Sequence, residues 1–495
     1  MPGSAKISTE EAAEPASASP RLLFVDLDGT LIRTDLLWES LLATASQQPW
    51  RLWTWACVLP RGRAQLKRAI AEHVPTDAAR LPFRAELLEF LAREKSQGTR
   101  LVLATASDHI WAQSVAAELD LFDAVLASDG QNNLKGAAKL AAIENYCRHC
   151  GASEFDYLGD SSADLPIWKR AAGIGVVEPS RRLLKQVQTC GGRVQSFGER
   201  PSRWRHAVRA LRPQQWIKNI LLFVPLVLAH AWHDGDRIVA ALLAFVAFSA
   251  SASATYIVND LLDVAADRCH PRKCRRPFAS GALPLAWGPP LAAGLLLVGF
   301  ATAIAALPAE FVALLLLYGV LTLLYSCWLK RKVMVDVMVL AGLYTLRVVA
   351  GGVAADVPVS EWLMALSLFL FTSLAFGKRY IELSHLEDDA VSSRGRGYQI
   401  GDLGLLESVG PTSGYIAVLV LALYIHGDTV KQLYPRPWAL WLICPLFLYW
   451  VNRFWILAKR RVLSDDPLVF AFKDRVSLAL GAISALLMLL AAWPA

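Results

Sequence analysis

Charged residues are scarce in this chain, and their scarcity limits the class of protein. Asp, Glu, Lys and Arg make up 19% of the 495 residues, whereas hydrophobic residues make up 55%. Soluble globular domains carry about 25% charged residues and fewer apolar ones, so the composition disfavours a wholly soluble protein. The high apolar content also excludes disorder for most of the chain, because disordered segments have low hydrophobicity.

Cysteines are few and irregularly placed. The eight cysteines lack the even spacing of a disulfide framework, which favours reduced thiols. Cys147 and Cys150 form one C-x-x-C pair, but no second pair and no histidine pair completes a zinc site in the sequence. We interpret the cysteines as packing or surface residues.

The sequence predicts neither a targeting segment nor a basic stripe. Met1–Pro20 is rich in Ala, Ser, Glu and Pro, so it predicts a disordered tail and neither a signal peptide nor a membrane anchor. The excess of Lys and Arg behind the net charge of +7 lies in loops between apolar runs, without interleaved exposed aromatic residues. This distribution argues against a nucleic-acid partner.

Residues 21–195 have mixed composition and contain three short apolar runs that end in polar residues. The runs and the residues that follow them are Leu22–Val25 before Asp26 and Asp28, Leu101–Ala104 before Thr105, and Phe155–Leu158 before Asp160 and Asp164. Helical sequence such as Ala138–Cys147 separates the runs, which predicts the buried parallel strands of a doubly wound α/β sheet. Functional residues of such a sheet lie at the carboxyl ends of its strands, where these side chains fall.

The order DxDGT, Thr, Lys and GDxxxD resembles the haloacid dehalogenase superfamily of phosphohydrolases, over residues 21 to about 180. The resemblance implies that Asp26 attacks phosphorus to form an aspartyl-phosphate, while Asp28 protonates the leaving alcohol and then activates water. It implies that Thr105 holds the phosphoryl oxygens and that a lysine neutralises the developing charge. Mg²⁺ is the implied cofactor, with ligands among Asp26, Asp28, Asp160 and Asp164.

Two lysines compete for the catalytic position. Lys139 opens the helix before the third run at about the usual distance for the family, and Lys135 lies nearby on its amino-terminal side. We prefer Lys139. The amphipathic helical sequence from about 36 to 95 predicts a small cap that selects the substrate. We assign 21–195 to a phosphatase domain and 196–212 to a linker.

From Pro213 onward, long apolar runs alternate with short basic loops, which predicts an all-α membrane domain over 213–495. We distinguish nine apolar segments: Pro213–Trp232, Ile238–Val258, Leu285–Leu307, Phe311–Leu329, Val333–Ala354, Trp362–Phe376, Thr412–Ile425, Trp438–Leu457 and Val476–Trp493. Some are shorter than the usual ~20 residues, but each is bounded by charge or proline.

Lys and Arg concentrate in the loops on one side of these segments, including a loop that carries Arg394 and Arg396. The opposite loops hold only Arg237, Lys431 and Arg436. By the positive-inside rule we predict a multi-pass protein of the cytoplasmic membrane. Its soluble domain and active sites face the cytoplasm, and its C-terminus lies outside.

The loop after the second segment combines acids with clustered bases. Asp260, Asp263 and Asp267 fall within about 60° of each other on a helix, where they repel unless a cation lies among them. With the bases that follow, they predict a site for Mg²⁺ and a diphosphate. These bases are Arg268, His270, Arg272, Lys273, Arg275 and Arg276. A solvated basic loop, the alternative, does not explain the aligned acids.

The NDxxDxxxD pattern that starts at Asn259 resembles the UbiA superfamily of intramembrane transferases, across 205–495. Leu211–Pro225, Arg347–Gly352 and Lys378–Leu383 resemble more specifically the decaprenyl-phosphate phosphoribosyltransferase branch. Members of that branch transfer 5-phosphoribose from phosphoribosyl pyrophosphate to a polyprenyl phosphate. The resemblance therefore implies these two substrates.

The chain departs from the prenyltransferase pattern after the sixth segment, where KRxxEL replaces a second DxxxD motif. The pair Lys378 and Arg379 suits an acceptor lipid phosphate, and Glu382 can complete metal binding. Arg347 lies inside the fifth segment and should face a partner in the bundle interior, either as part of the site or in a purely structural ion pair. Asp336, near the start of the same segment, is the alternative residue that shares its role, and the sequence does not decide between them. The residues assigned to substrate binding are Lys218, Asn259, Arg272, Lys273, Arg275, Arg276, Arg347, Lys378, Arg379 and Glu382.

These features favour a bifunctional membrane enzyme. The membrane domain makes polyprenyl-phosphoryl-5-phosphoribose, and the fused phosphatase removes the 5-phosphate. The alternative is a UbiA-type prenyltransferase that joins a prenyl diphosphate to an aromatic or other small acceptor, with an accessory phosphatase. A non-catalytic binding or transport protein is disfavoured, because DxDGT, GDSSxD and NDxxDxxxD are all intact.

Overall fold

The computed structural model describes residues 20–75, 77–385, 397–427, 430, 433–463 and 466–493. The predicted tail up to Ser19 and the loop cations Arg394, Arg396 and Lys431 lie outside the described residues. The chain divides into two compact units. The α/β unit comprises the residues up to His206 together with Leu261–Ala286, and the helical unit comprises Ala207–Asp260 together with Trp287–Ala495.

The α/β unit is built on a parallel sheet of six strands. The strands are β1 (Leu22–Val25), β2 (Arg100–Asp108), β3 (Ala124–Ser128), β4 (Asp156–Gly159), β5 (Gly173–Val177) and β6 (Arg193–Phe197). Their order is β3-β2-β1-β4-β5-β6, so the fully buried β1 lies between β2 and β4. The predicted α/β sheet is confirmed, and it is twice as wide as the three runs that the sequence analysis identified.

Helices connect the strands of this sheet. They are α1 (Leu36–Gln47), α2 (Arg51–Ala56), α3 (Arg63–Ala71), α4 (Ala85–Ser96), α5 (His109–Leu119), α6 (Ala137–His149), α7 (Leu165–Trp168) and α8 (Arg181–Gln188). Leu87 of α4 and Trp111 of α5 bury their side chains in the same apolar core as Val25 of β1. The stretch predicted as a cap contains α1, α2, α3 and α4.

The remaining helices follow residue 200, and most of them are long and apolar. They are α9 (Arg203–Ala210), α10 (Val224–Leu228), α11 (Gly235–Leu262), α12 (Val264–Arg268), α13 (Gly288–Ala306), α14 (Ala309–Cys327), α15 (Val335–Ala354), α16 (Glu361–Ser384), α17 (Leu403–His426), α18 (Trp438–Trp441), α19 (Ile443–Lys459), α20 (Pro467–Lys473) and α21 (Arg475–Ala492). Within the described residues, eight helical stretches of 18 to 28 residues are apolar and long enough to cross a membrane. The protein is therefore an integral membrane protein.

The first of the nine predicted segments differs from the other eight. Pro213–Trp232 folds as a 3₁₀ helix over Pro213–Phe223, followed by the five-residue α10. Pro225 lies at the start of α10, where a ring without an N–H is tolerated but cannot continue a preceding helix. Neither of these two helices is long enough to count as a spanning helix. The described residues therefore contain eight candidate spanning helices, whereas nine segments were predicted.

A close approach between α15 and the 3₁₀ helix depends on one glycine. A Cβ atom at Gly351 would lie 2.6 Å from the carbonyl carbon of Leu222, much closer than ordinary van der Waals contact. Because Gly351 has no side chain, α15 lies directly against this segment. The contact brings Arg347 of α15 within hydrogen-bonding distance of Asn219.

Candidate active sites

The carboxyl ends of β1, β2 and β4 carry the polar residues that the sequence analysis identified. Asp26 directly follows β1 and is 8% exposed. Its Oδ1 atom accepts a hydrogen bond of 2.8 Å from the backbone N–H of Leu27 and lies 3.0 Å from the Nζ atom of Lys139. The Oδ1 atom of Asp26 is therefore fixed by Leu27 and Lys139.

Three carboxylates form a group that fits a divalent metal ion. Asp26, Asp160 and Asp164 each offer an oxygen, and these oxygens lie within 4.8 Å of one another. Burial, followed by repulsion from Asp26 and Asp164, raises the pKa of Asp160 to about 8. Hard oxygen donors that repel each other are the ligand set that Mg²⁺ takes in proteins. Asp28 is not part of this group.

Asp28 instead has the environment of a proton donor. Its Oδ2 atom accepts a hydrogen bond of 2.5 Å from the Ser107 hydroxyl, and its Oδ1 atom accepts one of 2.9 Å from the backbone N–H of Leu36. Burial and the nearby charge of Asp35 raise its pKa to about 7, against these hydrogen bonds. A carboxyl group with such a pKa can give and take a proton near neutral pH.

The structure distinguishes the two lysines. Lys139 on α6 is buried, and its ammonium also lies 3.7 Å from Asp164. Burial disfavours its charge, but Asp26 and Asp164 keep its pKa above the ordinary value. Lys135 is exposed, on the loop before α6. Of the two lysines, Lys139 is therefore the one that lies at the acidic group.

Three residues of this site were missed by the sequence analysis. The hydroxyl of Tyr157 accepts from Lys139 at 3.0 Å and donates to Asp164 at 2.9 Å, so it connects the lysine to the acidic group. Arg84 donates to the backbone oxygens of Gly29 and Thr30, which lie directly after Asp28. Ser107, which contacts Asp28, lies two positions beyond Thr105.

Thr105 lies where predicted, but the strand does not end there. It is fully buried within β2, which continues irregularly to Asp108. Its Oγ1 atom accepts a hydrogen bond of 3.0 Å from the backbone N–H of Ser107. Thr105 therefore also shapes the irregular end of β2, where Ser107 contacts Asp28.

In the helical unit, two predicted lysines converge on one carboxylate. The Nζ atoms of Lys218 and Lys378 lie 2.8 Å and 3.0 Å from the same oxygen, Oδ2 of Asp466. Burial alone raises the pKa of Asp466, but the two ammonium groups more than offset this and hold it below its ordinary range. Asp466 was not identified from the sequence, because it lies 248 positions from Lys218 in a segment without a motif.

Arg347 lies in the interior of the helix bundle, as predicted, and its partners are neutral. Its guanidinium donates to Oδ1 of Asn219 at 2.9 Å, to the backbone oxygen of Leu343 at 2.6 Å and to the hydroxyl of Tyr318 at 3.1 Å. Asp336, the alternative residue for its role, contacts a different arginine, Arg379. Arg347 is only 4% exposed, so these hydrogen bonds, rather than water, stabilise its charge.

Lys378 and Arg379, predicted as a pair for one phosphate, have separate partners. Arg379 is 1% exposed and lies 2.5 Å from Oδ2 of Asp336, and it also pairs with Glu382. Tyr398 donates to the other oxygen of Asp336 at 2.7 Å. Arg379 is therefore part of a buried ionic network, whereas Lys378 reaches Asp466.

The acids of the NDxxDxxxD motif lie at the end of one long helix and in the short helix that follows it. Asp260 lies in the last turn of α11, which ends at Leu262, Asp263 lies directly before α12, and Asp267 lies within α12. In the helical unit Asp260 forms an ion pair with Arg212. In the α/β unit Asp267 lies 2.6 Å from Arg276.

The other residues assigned to this motif differ in exposure. Asn259 is half-buried, Arg276 is partly buried, and three further cations are exposed. These exposed cations are Arg272, Lys273 and Arg275.

A family model described as the UbiA prenyltransferase family matches residues 220–476, and one described as haloacid dehalogenase-like hydrolase matches residues 23–169. The fold and the family models together identify a membrane transferase with a phosphohydrolase domain. The chain belongs to the UbiA prenyltransferase family and carries a haloacid dehalogenase-like hydrolase domain at its amino-terminal side.

Three relatives bear on this assignment. An uncharacterised protein of Sinorhizobium fredii, y4nM, is 36% identical over 475 residues, which cover 94% of this chain and 89% of that protein. Nodulation protein NoeC of Azorhizobium caulinodans is 37% identical and covers 54% of this chain and 87% of its own length. The decaprenyl-phosphate phosphoribosyltransferase of Mycolicibacterium smegmatis is 38% identical over 184 residues, 36% of this chain and 58% of that enzyme.

Proposed function

We propose that the protein transfers 5-phosphoribose from phosphoribosyl pyrophosphate to a polyprenyl phosphate, and that its hydrolase domain then removes the 5-phosphate. The observation that carries the proposal is the convergence of Lys218 and Lys378 on a single carboxylate oxygen. Two ammonium groups that Asp466 holds close together suit the binding of a phosphate oxygen of a lipid. The similarity to the Mycolicibacterium smegmatis enzyme supports the same substrates.

The acids around α12 are suited to the donor. Asp260 and Asp267 are 2% and 3% exposed, and each is neutralised by an arginine, Arg212 or Arg276. Buried carboxylates need such a counter-charge, and Mg²⁺ held by Asp260, Asp263 and Asp267 would supply it while neutralising the diphosphate leaving group. The two arginines would then be available to donate to phosphate oxygens, as the guanidinium geometry favours.

The hydrolase site supports a two-step phosphatase reaction. An oxygen of Asp26 attacks phosphorus, the ester P–O bond breaks, and Asp28 gives its proton to the leaving alkoxide. Water then attacks the aspartyl-phosphate, Asp28 takes the proton of that water, and phosphate leaves with Asp26 restored. Lys139 balances the negative charge throughout, and Asp26, Asp160 and Asp164 would hold a Mg²⁺ ion that neutralises the phosphoryl oxygens. Removal of the 5-phosphate would draw a reversible transfer forward.

The distribution of loop cations supports an orientation in the membrane. Lys and Arg concentrate in the loops on one side of the apolar helices, which by the positive-inside rule is the cytoplasmic side. On this basis the hydrolase domain faces the cytoplasm of a bacterial inner membrane. Phosphoribosyl pyrophosphate, a soluble and highly charged donor, would reach the enzyme from that side.

The choice of donor tests the transferase reaction. Membranes that contain the protein are supplied either with polyprenyl phosphate and ribose-labelled phosphoribosyl pyrophosphate, or with labelled prenyl diphosphate and a small aromatic acceptor. We expect labelled lipid from the first pair and no labelled, prenylated acceptor from the second. Label transferred from prenyl diphosphate to a small acceptor would instead support the aromatic prenyltransferase function and contradict the proposal.

The separate partners of Lys378 and Arg379 predict different effects of mutation. Lys378→Ala should raise the KM for polyprenyl phosphate about tenfold or more while leaving the protein folded, because one of two phosphate ligands is lost. Arg379→Ala should instead destabilise the fold by about 3–5 kcal/mol, because it leaves the buried Asp336 without its cation. Thermal unfolding in detergent and steady-state kinetics separate the two effects. An equal rise in KM without destabilisation would show that both cations bind phosphate.

The raised pKa of Asp28 predicts how the phosphatase rate depends on pH. Asp28 acts as an acid in the first step, and its protonated form is lost as pH rises through about 7. We expect kcat/KM for ribose 5-phosphate to fall about tenfold per pH unit above that pKa. The fall should be weaker for p-nitrophenyl phosphate, whose leaving group needs less protonation. A flat profile to about two units above neutrality would contradict the role of Asp28 as the acid.

A further inference from the structure

We propose that Arg268, which lies in the part of the chain matched by the UbiA family, is a positioning residue of the phosphatase. It fixes Glu39 and thereby the loop that carries the catalytic acid Asp28. The proposal rests on the phosphatase activity proposed above. The segment Leu261–Ala286 carries Asp263 and Asp267, which are proposed to act in lipid transfer. The present proposal gives the same segment a role in phosphate hydrolysis as well.

The contact between Arg268 and Glu39 is a two-point ion pair. The Nη1 atom of Arg268 lies 3.1 Å from Oε2 of Glu39, and its Nη2 atom lies 2.5 Å from Oε1. The side chains are 9% and 12% exposed. The third nitrogen, Nε, donates to the backbone oxygen of Ala279 at 3.0 Å, so the guanidinium plane is fixed on both sides. Such geometry is more specific and less screened than an ordinary surface pair.

Glu39 connects this pair to the catalytic loop. Its Oε1 atom also accepts a hydrogen bond of 2.5 Å from the Thr34 hydroxyl. The backbone oxygen of Thr34 in turn accepts from the N–H of Gly29, directly after Asp28. Glu39 lies in the first turn of α1, and the first residue of that helix, Leu36, donates its N–H to Asp28. Two routes of hydrogen bonds therefore lead from Glu39 to Asp28 and its neighbour.

A second contact holds the same segment against the same loop. Gly281 has a φ of +71°, and a Cβ atom there would lie 2.6 Å from the backbone oxygen of Arg33, so the two backbones are in direct contact. Gly281, Arg33 and Arg84 also line a cavity of about 360 Å³. Arg84 is the residue that donates to Gly29 and Thr30. The segment therefore contacts the Asp28 loop at two places.

This arrangement predicts that a change in the UbiA-matched stretch slows the hydrolase domain. In the full-length protein in detergent, Arg268→Ala and Glu39→Ala should each lower kcat for p-nitrophenyl phosphate about tenfold, with little change in KM. The double variant should be no slower than the single variants, because both remove one contact. Arg268→Lys, which keeps the charge, should recover part of the rate. Arg170→Ala is the matched control, since it removes an exposed Arg–Glu pair of the same unit and should have no effect.

Hydrogen exchange provides a second measurement that does not depend on activity. In Arg268→Ala, the amides of Thr34–Glu39 should exchange at least about threefold faster, while those of β5 stay unchanged. Additive losses in the double variant, an unchanged kcat in Arg268→Ala, or unchanged exchange over Thr34–Glu39 would each overturn the positioning role. If the wild-type protein hydrolyses no phosphate ester but the exchange result holds, the phosphatase proposal fails and the structural link remains.

Discussion

Asp26→Asn is expected to lower the phosphatase rate by at least about 10³-fold and to leave transfer of the labelled pentose to lipid intact. The amide has almost the shape of the carboxylate but cannot form the phosphoryl ester, so the first chemical step is lost. The substitution also removes one of the three carboxylates that lie within 4.8 Å of each other. Transfer to lipid needs neither function, because its acids lie elsewhere in the chain.

Asp77→Asn is the matched control for this variant. Asp77 belongs to the same unit, and its side chain is 55% exposed. Its ion pair with Arg80 lies on the surface. The same chemical change there should leave both rates within error of the wild type. Loss of lipid transfer in Asp26→Asn, with the protein still folded, would show that the two reactions share a site and would contradict the account.

Asp260→Ala and Asp263→Ala are expected to abolish transfer to lipid, with losses of at least about 10³-fold, while hydrolysis of p-nitrophenyl phosphate persists. Each removes a carboxylate from the set proposed to hold Mg²⁺ and the diphosphate. Asp236→Ala is the control for Asp260, because it lies exposed at the opposite end of the same helix, α11. EDTA should also abolish transfer to lipid, and unlike the variants it should stop hydrolysis as well, because Asp26, Asp160 and Asp164 would hold Mg²⁺ in the hydrolase site. Transfer that survives chelation would eliminate the metal-diphosphate site.

The hydrolase site was largely predictable because its signals are local. Each acid follows a short apolar run, and the carboxyl ends of parallel strands meet at one edge of a sheet. β5 and β6 were not recognised, since Gly173–Val177 leads to no motif and Arg193–Phe197 is mostly exposed. Tyr157 and Ser107 give no sequence signal that separates them from ordinary strand residues.

The membrane site was less predictable because its residues come from distant segments. Asp466 has no motif, and only the folded bundle brings it to Lys218 and Lys378. The separation of Lys378 from Arg379 does have a signal, since neighbouring helical residues point about 100° apart and rarely bind one oxygen together. Likewise, Arg268 was grouped with the diphosphate ligands by charge, and its contact with Glu39 follows from the fold.

The central claim is that one chain makes a pentose phosphate lipid and then removes its 5-phosphate. The most direct test uses phosphoribosyl pyrophosphate that carries ¹⁴C in the ribose and ³²P in the 5-phosphate, supplied with polyprenyl phosphate. We predict that the wild-type protein produces lipid with ¹⁴C and releases ³²P as inorganic phosphate, whereas Asp26→Asn produces lipid with both labels. Lipid from the wild-type protein that retains ³²P in full, or that contains no ¹⁴C, would contradict the account.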